Sequence, residues 1–339
     1  LLKGLTMYNI VHTILTLIMK SKILLQKFNS YHTNHIESFV RESVNLLENQ
    51  RQLFSPSNKI LLKPNLLRGF EPGRCVTTHP ALIEAVCRVL KDLGINKIDL
   101  SDSPAIGSLL TVAKKSGYGD LTKRYGVRIK PLSNPVSLTT EENISGLKIA
   151  GSIREYDSII NLPKFKSHCQ MTLTLSVKNL FGLVIGKRKP VLHCLVKNNK
   201  VTFGKILVDI AKQVAPSLTI IDGISAMQGN GPINGTPYPL GLLAAGQDMT
   251  ALDRVMTEII RVPWKSVHTL EAARIKNYGQ WDLKKIECVG ALNIDACKVS
   301  DFKLAKFPVD ITFNPFRLAK SFLRQFYEVG IKERLAKES

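Results

Sequence analysis

The amino-acid sequence predicts an α/β protein with a mainly parallel sheet flanked by helices. Two observations indicate this class: short β-rich runs alternate with longer amphipathic stretches over residues 22–260, and polar residues follow several of those runs. The 339 residues are 44% hydrophobic, which suits a large buried core and excludes a disordered chain. Because no linker is evident, a second, smaller lobe is expected only as an insertion into the main domain.

Each predicted strand is a short apolar run bounded by turn residues. Lys59–Lys63 has the sequence KILLK and is ended by Pro64. Asp157–Leu162 has the sequence DSIINL, and such a mostly apolar run is typical of a strand buried on both faces. In chain order the predicted strands are Lys22–Phe28, Lys59–Lys63, Lys97–Leu100, Asp157–Leu162, Leu218–Ile221 and Leu242–Ala245.

The predicted helices combine apolar residues at helical spacing with recognisable ends. Thr78 is expected to cap the second helix, with Pro80 in its first turn and Gly94 after its end. In chain order the predicted helices are His35–Leu47, a helix from Thr78 to about Leu93, one ending near Gly117, one around Leu173–Leu180, Phe203–Val214 and Met249–Ile260.

Three regions are predicted along the chain. Residues 1–18 are expected to be an upstream extension, because their apolar run is shorter than the roughly 20 residues that span a bilayer and contains Asn9 and His12. No stable membrane insertion is therefore expected. Residues 19–262 form the α/β domain, and residues 263–339 form a mostly helical C-terminal extension.

Charge and cysteine content narrow the function classes. The chain has 47 Lys and Arg against 27 Asp and Glu, a net charge of +20, which favours anionic partners: nucleic acid, an acidic membrane face, or phosphorylated or carboxylated small molecules. Its six cysteines include no CxxC pair, which excludes a disulfide scaffold and a zinc ribbon. Scattered reduced thiols predict a cytoplasmic protein.

Four β-runs are each followed by polar and turn residues, where sites form in α/β sheets. Ligands of open α/β sheets bind beyond the carboxyl ends of the strands, so these segments are expected to converge. The alternative is that Asp, Asn, Pro and Ser only make turns there. The segments are KPN at 63–65, DSP at 102–104, PKFKSH at 163–168 and DG at 222–223.

Residues 151–200 form a basic segment, with nine Lys or Arg against two acids, Glu155 and Asp157. Lys164, Lys166 and Lys178 are predicted to hold a phosphate or carboxylate group. A lysine crowded by other cations loses its proton more easily, which suits base or imine chemistry. For residues 187–189 the alternative is a solvated basic face. No histidine spacing typical of a metal site occurs, so no metal ligands are predicted.

Seven motifs occur in one order: KILLKPNLL (59–67), TTHP (77–80), DSP (102–104), PKFKSH (163–168), SVKNLFG (176–182), the later His193 and DGISAMQGNGPINGTP (222–237). Together they resemble the family called domain of unknown function 362, over residues 22–260. The resemblance implies a domain starting near Met19. The recurring motif positions fall on Lys63, Asn65, His79, Asp102, Lys164, Lys166, His168, Lys178, Asn179, His193, Asp222 and Asn230.

The resemblance also bears on cofactors. Many relatives carry a ferredoxin-like segment with four clustered cysteines, whereas Cys288 and Cys297 here are nine residues apart. No intrinsic iron–sulfur cluster is therefore expected, the cofactor is otherwise unknown, and a separate ferredoxin-like partner would carry any electrons. Gln228 stands where the family has an acidic residue.

Two functions from different classes follow. The first is an enzyme or cofactor-binding protein that acts on an anionic small molecule and is redox-linked through that partner. The alternative is a nucleic-acid-binding or other anion-binding protein without catalysis. The low aromatic content of 7% and the absence of RNA-binding and zinc-finger motifs from the sequence argue against nucleic-acid binding. The predicted catalytic residues are His168, Lys166, Lys178, Asp102 and Asp222; the predicted ligand-binding residues are Lys63, Asn65, His79, Lys164, Asn179, His193 and Asn230.

Overall fold

A computed structural model describes residues 20–48, 54–142, 146–185, 189, 192, 196, 199–290 and 292–306. It has the predicted α/β fold, with a mainly parallel sheet between layers of helices. The expectations for residues 1–18, for positions 187 and 188, and for His193 lie outside the described residues. The same holds for the C-terminal extension beyond residue 306.

The strands follow the apolar runs of the sequence. They are β1 (Ser21–Lys27), β2 (Lys59–Pro64), β3 (Lys97–Leu100), β4 (Arg128–Ile129), β5 (Pro135–Ser137), β6 (Lys148–Ala150), β7 (Ser158–Leu162), β8 (Lys164–His168), β9 (Thr172–Thr174), β10 (Leu218–Gln228), β11 (Thr236–Tyr238), β12 (Leu242–Gly246) and β13 (Ile286–Val289). The α-helices are α1 (Thr33–Glu48), α2 (Pro80–Asp92), α3 (Leu109–Lys115), α4 (Gly119–Tyr125), α5 (Ser176–Asn179), α6 (Lys200–Val214), α7 (Met249–Ile259) and α8 (His268–Ile275).

The main sheet has the strand order β13-β1-β12-β10-β7-β2-β3-β4. Three further strands belong to it: β8 and β11 each pair with β10, and β9 pairs with β8. The central pairs β10–β7, β7–β2, β2–β3 and β3–β4 are all parallel. Only β12 in this path runs against its neighbours β1 and β10. The carboxyl ends of β2, β3, β7 and β10 therefore lie along one edge of the sheet.

Alternate residues of the central strands pack against different helices. Ile60 and Leu62 of β2 join a core with Phe39 of α1, whereas Leu61 joins a core with Phe203 of α6. All three β2 residues are buried. Burial on both faces explains why these strands are continuous apolar runs in the sequence.

Two polar segments that were predicted as loops are strands. The segment 163–168 forms β8, buried throughout, and β10 continues past its predicted end at Ile221 as far as Gln228. The two strands pair with each other, with Asp222 opposite Lys164. Because this pairing joins distant parts of the chain, polar residues with turn-like local sequence are held extended.

Two further local predictions were wrong. The stretch predicted as a helix around Leu173–Leu180 contains β9 and only the short helix α5. The N-cap of α2 is His79 rather than Thr78, since the side chain of His79 accepts a hydrogen bond from Ala81 N. Thr78 Oγ1 instead donates to Leu162 O at 2.6 Å.

Two segments lie outside the central βα pattern. Between β4 and β7, strands β5 and β6 form a separate antiparallel two-stranded sheet. Towards the C-terminus, α8 packs on α6 and β13 pairs in parallel with β1. Within the described residues, no helix is both long enough and apolar enough to cross a membrane.

A buried lysine–aspartate cluster as candidate functional site

Two buried ion pairs lie at the carboxyl edge of the sheet. Lys63 Nζ, at the end of β2, is 3.0 Å from Asp102 Oδ1, which follows β3. Lys164 Nζ, at the start of β8, is 2.8 Å from Asp222 Oδ2 on β10. All four residues are at most 6% exposed. The four predicted strand-end segments thus meet in one region, because Asn65 and residues 164–166 connect the two pairs as described below.

Asp102 is held in place by the backbone as well as by Lys63. Its Oδ2 accepts a hydrogen bond from Leu66 N and its Oδ1 accepts one from Ser103 N, both at 2.7 Å. Lys63 Nζ also donates to Pro64 O at 2.7 Å. Burial lowers the pKa of Lys63, and the carboxylate of Asp102 opposes that shift. Asp102 is therefore held by two backbone N–H groups as well as by the ammonium of Lys63.

The second ion pair is part of a larger network around Asp222. Its Oδ1 accepts from Tyr31 OH at 2.7 Å, and its Oδ2 accepts from His79 N at 2.8 Å. Lys164 Nζ donates to Tyr31 OH at 2.9 Å in addition to Asp222. Burial, followed by the charge of Asp222, raises the pKa of Tyr31 far above its ordinary value, so the phenol stays protonated.

His79 stacks on the ring of Tyr31, with centroids 3.5 Å apart and an interplanar angle of 12°. Its Nδ1 accepts from Ala81 N at 3.2 Å, which places the proton of the neutral ring on Nε2. Burial lowers the pKa of His79 to about 4; Asp222 opposes this shift and Lys164 adds to it. The imidazole is therefore neutral at physiological pH.

Lys166 differs from the other two buried lysines. Its Nζ donates to Asn65 Oδ1 and to Val76 O, both at 2.7 Å, and the described residues give it no carboxylate partner. Burial lowers its pKa well below the ordinary value, and the charges of Lys178 and Lys164 lower it further. This side chain is held by neutral oxygens alone.

Three asparagines connect the ends of the strands. Asn65 Nδ2 donates to Asn179 Oδ1 at 2.8 Å, and Asn179 Nδ2 donates to Asn161 Oδ1 at 2.8 Å. Asn161, buried on β7, was not among the predicted site residues, and neither was Tyr31. Asn161 lies inside the predicted strand 157–162, and Tyr31 lies three residues beyond the predicted strand 22–28, so the criterion of polar residues directly after a β-run missed both.

Two partly buried lysines flank this cluster. Lys178 and Lys189 lie 5.6 and 5.8 Å from the ring centroid of Phe181, and Lys189 Nζ donates to Ser103 O. Burial lowers the pKa of each lysine to about 8. For residues 187–189 the sequence left open a solvated basic face, and Lys189 of this run is instead partly buried.

The remaining predicted residues are placed differently. His168 lies on β8 on the same side as Lys164 and Lys166, since side chains alternate along a strand. Its Nδ1 accepts from Gln170 N at 3.1 Å and Met171 N at 3.3 Å, so the neutral ring carries its proton on Nε2. Asn230 is exposed and takes no part in the hydrogen bonds of the cluster.

The buried charges do not balance. Lys63, Lys164 and Lys166 are at most 1% exposed, and the carboxylates within their hydrogen-bonding network are those of Asp102 and Asp222. When all of these groups are ionised, the cluster carries one excess positive charge, before Lys178 and Lys189 are counted. In the described part of the chain, no three His, Cys, Asp or Glu side chains are grouped to hold a metal ion.

The fold and this site define a class: an α/β protein with a buried lysine–aspartate cluster at the carboxyl edge of a mainly parallel sheet. The chain belongs to the family described as Domain of unknown function (DUF362), which matches residues 60–258. This confirms the family predicted from the ordered motifs. The matched residues contain both ion pairs and Lys166.

The chain is similar to a curated protein and to a solved structure. It is 34% identical to "Thylakoid-associated protein sll1697" of Synechocystis sp. (strain ATCC 27184 / PCC 6803 / Kazusa) over 317 residues, covering 94% of this chain and 98% of that protein. It is 15% identical to the lactate racemase apoprotein from Thermoanaerobacterium thermosaccharolyticum, with a TM-score of 0.40. That match covers 68% of this chain and 54% of the racemase chain.

Proposed function

We propose that this protein is an enzyme that binds an anionic small molecule at the carboxyl edge of its sheet. The position of Lys178 and Lys189 beside the cluster supports the proposal: both are partly buried, and the described residues give neither of them a carboxylate partner. A buried lysine without a carboxylate partner is unfavourable as a cation, because the ammonium has lost its hydration. A bound carboxylate or phosphate supplies the missing negative charge.

The residues take different roles in this proposal. Lys178 and Lys189, which are only partly buried, contact the anion, and their cationic forms are stabilised when it binds. Asp102 orients Lys63, and Asp222 orients Lys164. His168 transfers a proton through Nε2, the nitrogen that its backbone hydrogen bonds leave protonated.

A nucleic-acid-binding protein is the second candidate, and the net charge of +20 favours it. Phosphate-binding surfaces expose their cations, however, whereas Lys63, Lys164 and Lys166 are buried. Burial of this kind fits a small ligand that enters the fold better than a duplex that rests on its surface. The enzyme is therefore the preferred proposal.

The proposal also includes a partner and a location. The six scattered cysteines support a separate ferredoxin-like electron carrier rather than an intrinsic cluster, if the reaction is redox-linked. A cytoplasmic location is proposed from the same reduced thiols. The similar Synechocystis protein is named as thylakoid-associated, so fractionation of cells into cytosol and membranes, followed by immunoblotting, tests this part directly.

Thermal unfolding with added anions tests the binding site. Phosphoglycolate, malonate and inorganic phosphate are suitable probes because they contain no reactive carbonyl group. At least one is expected to raise the Tm of the wild type and of Lys123→Met, an exposed lysine of α4, but not of Lys178→Met. If no probe raises the Tm, or if Lys178→Met responds like the wild type, the proposed site is wrong.

A further inference from the structure

We propose that Lys166 acts as a neutral amine that forms an imine with an anionic carbonyl compound, such as a 2-oxo carboxylate or a phosphorylated aldehyde. This rests on the proposed function, because the same cluster must first bind the anionic group. The inference adds a covalent step and a substrate class to that site. Its basis is the hydrogen bonding of one side chain, compared with two similar side chains nearby.

The hydrogen bonds of Lys166 match a neutral amine. A neutral amine has two N–H groups and one lone pair, and Lys166 Nζ donates two hydrogen bonds, to Asn65 Oδ1 and Val76 O. Lys63 and Lys164 also have two partners each, but one of the two is a carboxylate, whereas both partners of Lys166 are neutral oxygens. The lone pair is therefore the group left for chemistry.

Lys63 and Lys164 show the contrasting arrangement. Each is as buried as Lys166, and each contacts a carboxylate, at 3.0 and 2.8 Å respectively. A carboxylate at that distance favours the charged form of a lysine. Lys166 has amide oxygens in the same place, and such oxygens carry no net charge to stabilise an ammonium.

The charged groups around Lys166 also favour its neutral form. The ammonium groups of Lys178, Lys164 and Lys63 all lower its pKa, and Asp102 alone raises it. Lys178 has the largest of these electrostatic effects and is partly exposed. An anionic group bound by Lys178 would therefore bring an adjoining carbonyl carbon towards Lys166. This arrangement requires a substrate with both groups.

The chemistry is balanced without an added reagent. The lone pair of Lys166 Nζ attacks the carbonyl carbon, a proton moves from nitrogen to oxygen, and a carbinolamine forms. Loss of the oxygen as water then gives the imine, and addition of water reverses both steps. Proton transfer requires a neighbouring acid and base, and His168 lies on the same face of β8 as Lys166.

Borohydride trapping tests the inference on the wild-type protein. Pyridoxal 5′-phosphate is the probe, because it carries an aldehyde and a phosphate in one molecule. After reduction with sodium borohydride and proteolysis, mass spectrometry is expected to place the main stable adduct on Lys166. Phosphoglycolate is expected to slow the labelling by competing for the anion site. Lys166→Arg is expected to lose this adduct.

The outcomes separate this inference from the proposed function. If phosphoglycolate raises the Tm but no adduct appears on Lys166, the imine is wrong and the anion site stands. If phosphoglycolate neither raises the Tm nor slows labelling, both proposals fail. Main labelling of Lys178, Lys189 or surface lysines also contradicts the imine. Because the adduct is mapped on the wild type, the test does not depend on how Lys166→Arg folds.

Discussion

The backbone of Gly182 lies directly against the carboxylate of Asp102. A Cβ at residue 182 would overlap Asp102 Oδ1 and come within 2.7 Å of Lys63 Nζ. The carbonyl of Gly182 also accepts a hydrogen bond from Ser103 N at 3.2 Å. Glycine is therefore required at this position because the chain passes closely over a buried ion pair, and the φ of Gly182 is not in the left-handed region.

Gly182→Ala is expected to destabilise the protein by about 1–3 kcal/mol, because the added methyl group must displace the ion pair or the backbone. Gly119→Ala is the matched control. A Cβ there has its nearest neighbour at 4.0 Å, and the position is the first residue of α4. Urea unfolding of both variants measures the difference. Equal effects would show that the cluster tolerates the methyl group.

Asp222→Asn is expected to destabilise the protein by about 3–5 kcal/mol, the usual cost of leaving a buried charge unpaired. The amide nitrogen would face Lys164 Nζ and His79 N, both of which are donors. Glu37→Gln removes two ion pairs of a partly exposed carboxylate, with Arg41 at 3.0 Å and with Arg88 at 3.7 Å, and is expected to cost about 1 kcal/mol or less. Chemical denaturation measures both. A similar small loss in the two variants would contradict the importance of the buried pair.

The sequence was sufficient to predict the edge of the sheet that carries the cluster, because local signals mark strand ends. The apolar runs before Lys63 and Asp102 correctly predict where β2 and β3 end. Because these two strands are parallel, their ends lie side by side. The same signals misplaced residues 163–168, since their extended form depends on pairing with β10. The secondary-structure propensity of a local sequence contains no information about such a distant partner strand.

The pairing of individual charges was not predictable. Lys164 and Asp222 are 58 positions apart, and nothing in their local sequence distinguishes Lys164 from Lys166. Both were predicted to hold an external anion. The structure shows that one has an internal carboxylate partner and the other has amide oxygens. That difference arises only when β8, β10 and the loop with Asn65 are assembled.

The stability of the protein is expected to fall between about pH 6.5 and pH 4 through His79. The unfolded chain binds a proton on this histidine near pH 6.5, whereas in the folded protein its pKa is about 4 because of burial. Acid therefore favours unfolding in this window, and the contribution of neutral His79 is fully present above pH 6.5. Relative to pH values above 6.5, protonation of the unfolded chain lowers the stability by about 3 kcal/mol at pH 4.

His79→Asn isolates this effect, because asparagine keeps an N-cap acceptor for α2 but does not titrate. The difference in unfolding free energy between wild type and variant is expected to change across the window and to be constant above it. Urea unfolding at intervals from pH 4 to pH 8 measures this difference. A difference that stays constant throughout would show that the folded pKa is close to the unfolded one.

Phe302→Ala is expected to destabilise the protein by about 1–3 kcal/mol and to weaken anion binding. Phe302 packs edge-on against Phe165 and Tyr238, with centroids 5.5 and 5.3 Å away. Phe165 lies between Lys164 and Lys166 on β8, so this contact supports the strand from the side opposite the lysines. The C-terminal segment is further fixed by a hydrogen bond from Lys303 N to Gln228 Oε1 at 3.0 Å.

Phe302→Leu is the control, since it keeps most of the apolar volume and should lose less stability. Both variants are compared by urea unfolding and by the Tm increase with phosphoglycolate. If the alanine variant is destabilised but keeps the full anion response, the segment stabilises the fold without positioning β8.

The last prediction separates a confined anion site from a nucleic-acid surface. Lys178→Ala is expected to weaken phosphoglycolate binding strongly, since a half-buried cation contacts the ligand at short range. The same change is expected to leave the affinity for duplex DNA and its salt dependence nearly unaltered. On a DNA-binding surface, each lost lysine instead lowers the slope of log affinity against log salt by about one and weakens all sequences alike. Fluorescence anisotropy with labelled duplex DNA across a salt series measures that slope for wild type, Lys178→Ala and the exposed control Lys123→Ala. A steep wild-type slope that falls with Lys178→Ala would assign this lysine to phosphate-backbone contacts and contradict its role in an enzyme site.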